Sequence, residues 1–474
     1  MANSPLSLLF LIIPLFLLLQ LCSSEYSIGV NYGTVANNLP PPSQVAEFLK
    51  DQTTIDRVKL FDSNPDLLQA FSNTNISITV SVSNADILNL SKLSEAQTWI
   101  STYITPFYPK TRIIRISVGN EIMATGDKNL IAHLLPCMKS LHYALQLMHI
   151  TDIQVSTPHS LGILSLSEPP SSGRFRHGYD RVVFTPILQF HRDTKSPFMI
   201  NPYPYFGFSN KSLNYALFKT NPGVYDKVTN KTYTNMFDAQ LDAIYSAMKR
   251  LGFEDVEIVV AETGWPSVGD PDQPAVNLEN AISYNGNLVR HVNSGVGTPL
   301  MPNRKFETYI FSLFNENLKP GSTAERNFGL FRSDLVPVYD VGILIDEAGA
   351  PSATPAPSPT EAPPAPISPA PTSPPSPTSP APSSPGSLWC VPKSSVSDDL
   401  LQANIDYVCS LGIDCSPIQG GGPCFEPDTV RSHAAFAMNA YYQTYGKADL
   451  NCDFASTGVV ITSDPSYATC KYVS

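Results

Sequence analysis

Two short runs in this chain set a glutamate at the end of an apolar, strand-like stretch: Val118-Gly119-Asn120-Glu121 and Ala261-Glu262-Thr263-Gly264-Trp265-Pro266. Two carboxyl groups facing one cleft are the minimum equipment for breaking a glycosidic bond. One of them must keep its proton near the working pH, which calls for partial burial or a neighbouring carboxylate. Glu121 and Glu262 are therefore the candidate catalytic residues, and by pattern alone either fits either role. A sugar also needs flat apolar platforms. Tyr32 ends the first apolar run, Tyr203, Tyr205 and Phe206 lie in Asn201-Pro202-Tyr203-Pro204-Tyr205-Phe206, and Trp265 follows Glu262. These five rings are the candidate platforms; each taken singly fits core packing as well. A third polar cluster, Asn315-Glu316-Asn317-Leu318-Lys319 with Glu325 and Arg326, fits either a supporting shell or a salt-bridged loop.

Elements must bring these groups together. Apolar or β-branched runs occur at residues 28–32, 58–61, 76–82, 113–118, 153–156, 198–203, 256–261 and 309–314, with helical periodicity between most of them, as in 130–147, 237–251 and 280–292. Eight strands alternating with helices predict a (β/α)8 barrel, whose catalytic groups sit at the C-terminal ends of the strands. Glu121 then ends the fourth strand and Glu262 the seventh, so both face one mouth. The rival is an open doubly wound sheet. Against it, Gly29-Val30-Asn31-Tyr32-Gly33 lacks the glycine spacing of a phosphate-cradling turn.

Other chemistries find no support. There is no H-E-x-x-H, no paired C-x-x-C and no G-x-S-x-G, so neither a metal, a cofactor nor a serine nucleophile is expected. A formal net charge of -11 argues against nucleic acid as a partner and is indifferent to a neutral polysaccharide.

Composition divides the chain. Residues 6–21 are almost continuously apolar and are followed by Cys22, Ser23 and Ser24, which reads as a secretory signal over residues 1–24. No Lys or Arg precedes the apolar stretch, so a signal anchor is the alternative. The barrel is expected over 25–346. A Pro/Ser/Thr-rich linker follows over 347–387; in polyproline-like form its 351–386 stretch reaches roughly 110 Å. The remainder, 388–474, carries six of the eight cysteines and reads as a small disulfide-stapled module, for which six cysteines allow 15 pairings. Cys137 stands alone and reads as an inert core thiol. Asn75, Asn89, Asn210 and Asn230 begin N-x-Ser/Thr sequons, candidate glycan sites in a secreted protein. No later stretch is long and apolar enough to span a bilayer, and no apolar tail follows Cys470, so neither a membrane span nor a lipid anchor is expected.

These motifs carry a family resemblance. Residues 28–343 resemble plant glycoside hydrolase family 17, the glucan endo-1,3-β-glucosidases, through Ile28-Gly29-Val30-Asn31-Tyr32-Gly33, Val118-Gly119-Asn120-Glu121, Asn201-Pro202-Tyr203-Pro204-Tyr205-Phe206, Glu262-Thr263-Gly264-Trp265-Pro266, Phe314-Asn315-Glu316-Asn317 and Glu325-Arg326-Asn327-Phe328-Gly329-Leu330-Phe331. The resemblance implies internal cleavage of β-1,3-glucan with retention, Glu121 as proton donor and Glu262 as nucleophile. It further implies that Asn120 contacts the sugar and that Glu316, Lys319 and Glu325 support the site. Residues 171–181, with Arg174, Arg176 and His177, depart from the family pattern, which leaves loop specificity open. Leu388-Trp389-Cys390-Val391 and Gly422-Pro423-Cys424-Phe425 resemble a family 43 carbohydrate-binding module of the six-cysteine X8 type, mainly helical. That resemblance implies pairs Cys390–Cys452, Cys409–Cys415 and Cys424–Cys470. The expected protein is a secreted, wall-associated monomer whose partner is β-1,3-glucan. A β-1,3-glucan transglycosylase and a non-catalytic glucan-binding wall protein are the alternatives.

Overall fold

The structure, a computed structural model, describes residues 28–345 and 388–473, apart from 395, 411–412, 445–446, 448–449, 455–456 and 468. The signal segment 1–24 and the linker 347–387 lie outside the described residues. The chain divides into two compact units, 1–360 and 361–474.

Nine strands form one parallel sheet in the first unit: β1 (Ile28–Tyr32), β2 (Arg57–Leu60), β3 (Ser77–Val82), β4 (Ile113–Val118), β5 (Gln154–Ser156), β6 (Pro158–Ser160), β7 (Phe198–Asn201), β8 (Ile258–Thr263) and β9 (Thr308–Ile310). The spatial order is β5-β4-β3-β2-β1-β9-β8-β7-β6. Its two ends, β5 and β6, are consecutive pieces of one run separated by Thr157. The fifth stave is thus broken in two, one half pairing with β4 and the other with β7, and the sheet rolls up into the expected eight-stave (β/α)8 barrel.

Alternation within the strands explains the layers. One face of each strand packs outward beneath helices, through Val30, Val58, Ile78, Val80, Ile116, Ile200 and Val260, all 0% exposed. Long amphipathic helices such as Lys128–Leu147, Met236–Arg250 and Leu278–Ser294 cover it. The other face fills the barrel, where Met199, Val259, Ala261 and Tyr309 form a separate cluster. Covering a parallel sheet on both faces is why its strands read as nearly unbroken apolar runs. Towards the N-terminal ends of the strands, Arg115 Nη1 lies 2.7 Å from Glu307 Oε1 and Arg57 3.6 Å from Glu307 Oε2. Burial opposes ionisation of Glu307, but the two guanidinium groups outweigh it and hold the carboxyl down at about 2.

Some boundaries differ from the sequence reading. The sixth stave ends at Asn201, because Pro202 and Pro204 supply no N–H to a ladder and residues 204–207 turn into a short helix. The seventh extends to Thr263, which places Glu262 inside the strand. The eighth is short, 308–310, and the rest of its expected span forms irregular backbone across the mouth. Among the described residues no helix is long and apolar enough to cross a membrane.

The second unit pairs Trp389–Pro392 antiparallel with Gly458–Ile461, packs helix Val430–Thr444 against that ribbon and packs helix Asp398–Ser410 against Val430–Thr444. Disulfides join Cys390 to Cys452, Cys409 to Cys415 and Cys424 to Cys470. Its two small clusters, around Trp389, Val408 and Tyr472 and around Leu401, Met438 and Tyr442, are far smaller than the barrel core. A domain with so little core depends on its cross-links.

Candidate active site

Glu121 does not sit on β4 itself. Three residues past the strand end, it occupies a turn in which Gly119 has φ 64° and Glu121 φ 51°. A left-handed glutamate costs about 1–2 kcal/mol, so neighbouring structure must hold it there. Its N–H donates to Pro158 O at 3.1 Å. Its carboxylate Oε1 accepts a 2.8 Å bond from Asn201 Nδ2, at the end of β7.

Glu262 reaches the same place by a different device. Strict alternation after Val259 and Ala261 would turn it outward. The β8–β9 register shifts between Val260 and Thr263, where three steps on β8 match two on β9. This bulge re-aims Glu262 into the mouth. There Lys59 Nζ, from β2, lies 3.1 Å from Oε1, and the Tyr203 hydroxyl donates to Oε2 at 3.2 Å. Lys59 is 1% exposed and also sits 4.0 Å above the Phe61 ring.

The two carboxyl groups line one cavity of about 490 Å³, together with Asn120, Tyr203, Phe206, Glu316, Lys319 and Glu325. Their surroundings differ in kind. Glu121 is pushed above the ordinary carboxyl range, first by burial and then by the charge of Glu262, against the opposing pull of Asn201 and Lys59. Glu262 has a cation on one oxygen and a hydroxyl on the other. Burial, followed by the charges of Glu262 and Glu121, raises the Tyr203 phenol well above its usual value, so it remains an O–H donor. Burial and a neighbouring carboxylate thus favour a proton on Glu121, while Glu262 faces an ammonium group and a hydroxyl donor, an asymmetry of the kind glycoside cleavage requires.

The third acidic cluster belongs to the cavity wall. Glu316 Oε1 accepts from Val35 N at 2.9 Å. Lys319 Nζ lies 3.5 Å from Glu325 Oε2 and 4.1 Å above the Phe311 ring.

The aromatic candidates divide. Tyr203 lines the cavity, and Phe206, 63% exposed, stands on its rim. Tyr32, Tyr205 and Trp265, expected as platforms, do not line it and are buried in the core instead. Tyr32 packs edge-on to Phe314, and Tyr205 packs against Trp265. Trp265 is 0% exposed, and its Nε1–H is already committed to Ala275 O at 3.0 Å. In their place Phe61, Phe311 and Phe328 line the cavity. Lys59, Asn201 and Asp62 were also missed as site residues. Lys59 had a readable signal: a lysine between Val58 and Leu60 in an apolar strand needs an anionic partner. Residues 171–181 form a small hairpin strand and a π-helical turn, and none of them lines this cavity.

A (β/α)8 barrel with two unlike carboxyl groups at the ends of its fourth and seventh staves, in one cavity walled by rings and polar side chains, defines a glycoside-cleaving enzyme. Comparison with known proteins agrees. The family model for glycosyl hydrolases family 17 matches residues 28–343, and that for the X8 domain matches 388–459. A glucan endo-1,3-beta-glucosidase of Triticum aestivum is 51% identical over 454 residues, covering 94% of this chain and 95% of its own. A glucan endo-1,3-beta-D-glucosidase of Olea europaea is 44% identical, covering 99% and 98%. Among solved structures, a β-1,3-glucanase and pollen allergen of Cryptomeria japonica shares 41% identity at a TM-score of 0.64, covering 67% of this chain and 99% of its own. The chain belongs to glycosyl hydrolases family 17 and carries a C-terminal X8 domain.

Proposed function

We propose that this enzyme cleaves internal β-1,3-linkages of a β-1,3-glucan with retention of configuration. Glu121 donates its proton to the glycosidic oxygen as that bond breaks, and Glu262 attacks the anomeric carbon from the opposite face. The resulting glycosyl ester is hydrolysed by a water that gives its proton back to Glu121. The observation that carries this reading is the unlike environment of the two carboxyl groups within one cavity. Lys59 and Tyr203 support the nucleophile; Asn201 orients the acid. The Oδ1 atoms of Asn120 and Asn201 are buried without a partner, and Asn120 lines the cavity, which suits an acceptor waiting for a sugar hydroxyl. Phe206 is the outermost platform. The relatives named above, glucan endo-1,3-beta-glucosidases, supply the choice of substrate.

The six-cysteine module acts as a glucan anchor. Joined to the barrel by the Pro-rich linker over 347–387, it raises the enzyme's local concentration on an insoluble polymer. Its three disulfides suit an oxidising, extracellular setting, in line with removal of residues 1–24. Asn75, Asn89, Asn210 and Asn230 are all exposed and open to glycans.

The test is digestion of a linear β-1,3-glucan by the wild type, Glu121→Gln and Glu262→Gln, with the anomer of the first product read by NMR. Both variants should fold and lose several orders of magnitude in kcat, and the wild type should release the β-anomer first. Full activity in either variant rejects the assignment, and α-anomeric products reject retention. Products longer than the substrate would favour transfer over hydrolysis.

A further inference from the structure

A proton donor has to be placed as well as tuned, and the turn that carries Glu121 is unfavourable by itself. Two of its three residues, Gly119 and Glu121, are in the left-handed region. Neighbouring strands pin the ends of the turn. Gly119 N–H donates to Val82 O at 2.9 Å on one side, and Glu121 N–H donates to Pro158 O at 3.1 Å on the other. Between these anchors, both backbone groups of Asn120 go to a single side chain. Asn120 N–H donates to Asn84 Oδ1 at 2.8 Å, and Asn84 Nδ2 donates to Asn120 O at 3.2 Å.

The Asn84 amide therefore stands in for a strand residue where β3 has already ended. It is itself held in a tight turn: Ser83 Oγ donates to Asp86 Oδ2 at 2.8 Å, and Asp86 N–H to Ser83 O at 3.1 Å. The fit to the acid's turn is close. A Cβ on Gly119 would lie 2.9 Å from Asn84 Oδ1 and 2.8 Å from Ile122 Cδ1.

We propose that Asn84 is a positioning residue for the proton donor, clamping the Asn120 peptide so that the Glu121 carboxyl and the Asn120 amide face the scissile bond together. The inference rests on the reading of Glu121 as the acid. Asn84 does not line the cavity; it acts through its neighbour. Without the clamp the turn can relax out of its left-handed geometry and carry the carboxyl with it. A displacement of about 1 Å in a catalytic group costs on the order of 10²-fold.

A misplaced acid has a distinctive signature. A glucan leaving group needs its proton, whereas a dinitrophenolate leaves without one. The test compares kcat and KM of full-length wild type, Asn84→Ala, Asn84→Ser and Glu121→Gln on linear β-1,3-glucan and on a 2,4-dinitrophenyl β-glucan oligosaccharide. For Asn84→Ala, kcat on glucan should fall roughly 10- to 100-fold with KM within about threefold. Its kcat/KM on the dinitrophenyl substrate, which reports formation of the glycosyl ester alone, should stay within about threefold of wild type, while kcat falls because hydrolysis of that ester still needs Glu121 as base. Equal loss of kcat/KM on both substrates, no loss on either, or failure of both Asn84 variants to fold would make Asn84 a scaffold residue only and overturn the proposal. Glu121→Gln separates the two readings. If it shows the selective loss and Asn84→Ala does not, only the positioning role fails. If it too keeps full glucan cleavage, the acid assignment fails first.

Discussion

Gly33 and Glu316 should be coupled, and the size of the coupling follows from their geometry. A Cβ added at Gly33 would lie 2.3 Å from Glu316 Oε1 and 2.6 Å from Cδ and Oε2. Gly33 is not in the left-handed region, so Gly33→Ala brings steric conflict without backbone strain. All three blocking atoms are the far end of a side chain, so the carboxylate swings aside and the barrel wall stays in place. What is lost is its 2.9 Å bond from Val35 N–H. A hydrogen bond to a charged group contributes about 1.5–3 kcal/mol. Glu316 is only 4% exposed, so leaving its carboxylate without that donor adds to the cost. Gly33→Ala should therefore destabilise the barrel by about 2–4 kcal/mol, and it should lower kcat/KM on glucan because both residues line the cavity. In a Glu316→Ala background the obstacle is gone, and the same change should cost less than about 0.5 kcal/mol. The coupling read from urea midpoints of the four proteins is then about 1.5–4 kcal/mol. Equal costs in the two backgrounds would refute the reasoning, since the conflict would then lie with something other than Glu316.

Three further outcomes are expected. The charge of Glu262 is one of the causes that raise Glu121, so Glu262→Gln should bring the Glu121 titration down in pH when followed by 13C NMR of the carboxyl carbon; an unchanged or higher midpoint contradicts the shared site. Burial pushes His159 and His191 down to about 3. A folded value below the unfolded one means that the native state prefers the neutral rings, so their contribution is complete above about pH 6.5 and is lost as pH falls towards 3, at most ~1.4 kcal/mol per pH unit for each ring. His159, stacked 4.9 Å from Phe198, can be tested as His159→Phe, whose urea midpoint should fall less steeply between pH 6.5 and 4.5; an unchanged slope removes this residue from the account. Finally, the barrel's Cys137 is a buried free thiol, while Cys390–Cys452 and Cys424–Cys470 span 62 and 46 residues in the module. Closing loops of that length contributes about 4 kcal/mol each in the chain-entropy account. A reductant should therefore abolish retention on insoluble glucan and leave cleavage of soluble oligosaccharides intact; parallel loss of both would contradict independent units.

The sequence by itself determined the barrel, because covering a parallel sheet on both faces writes long apolar runs into the chain at regular intervals. It also located both glutamates, since barrel chemistry gathers at the C-terminal ends of strands, and it marked the module through its six clustered cysteines. Only the tertiary structure decided which groups share the cavity. Lys59 and Glu262 meet across 203 residues of chain, and alternation along one strand says nothing about what stands opposite it. Periodicity placed Tyr32, Tyr205 and Trp265 near the mouth, but packing turned them into the core and left Phe206 and Phe61 to line the cavity. The β8 bulge that re-aims Glu262 and the left-handed turn that carries Glu121 are local departures from regular structure. They are held in place by partners on other strands, so no local pattern could announce them.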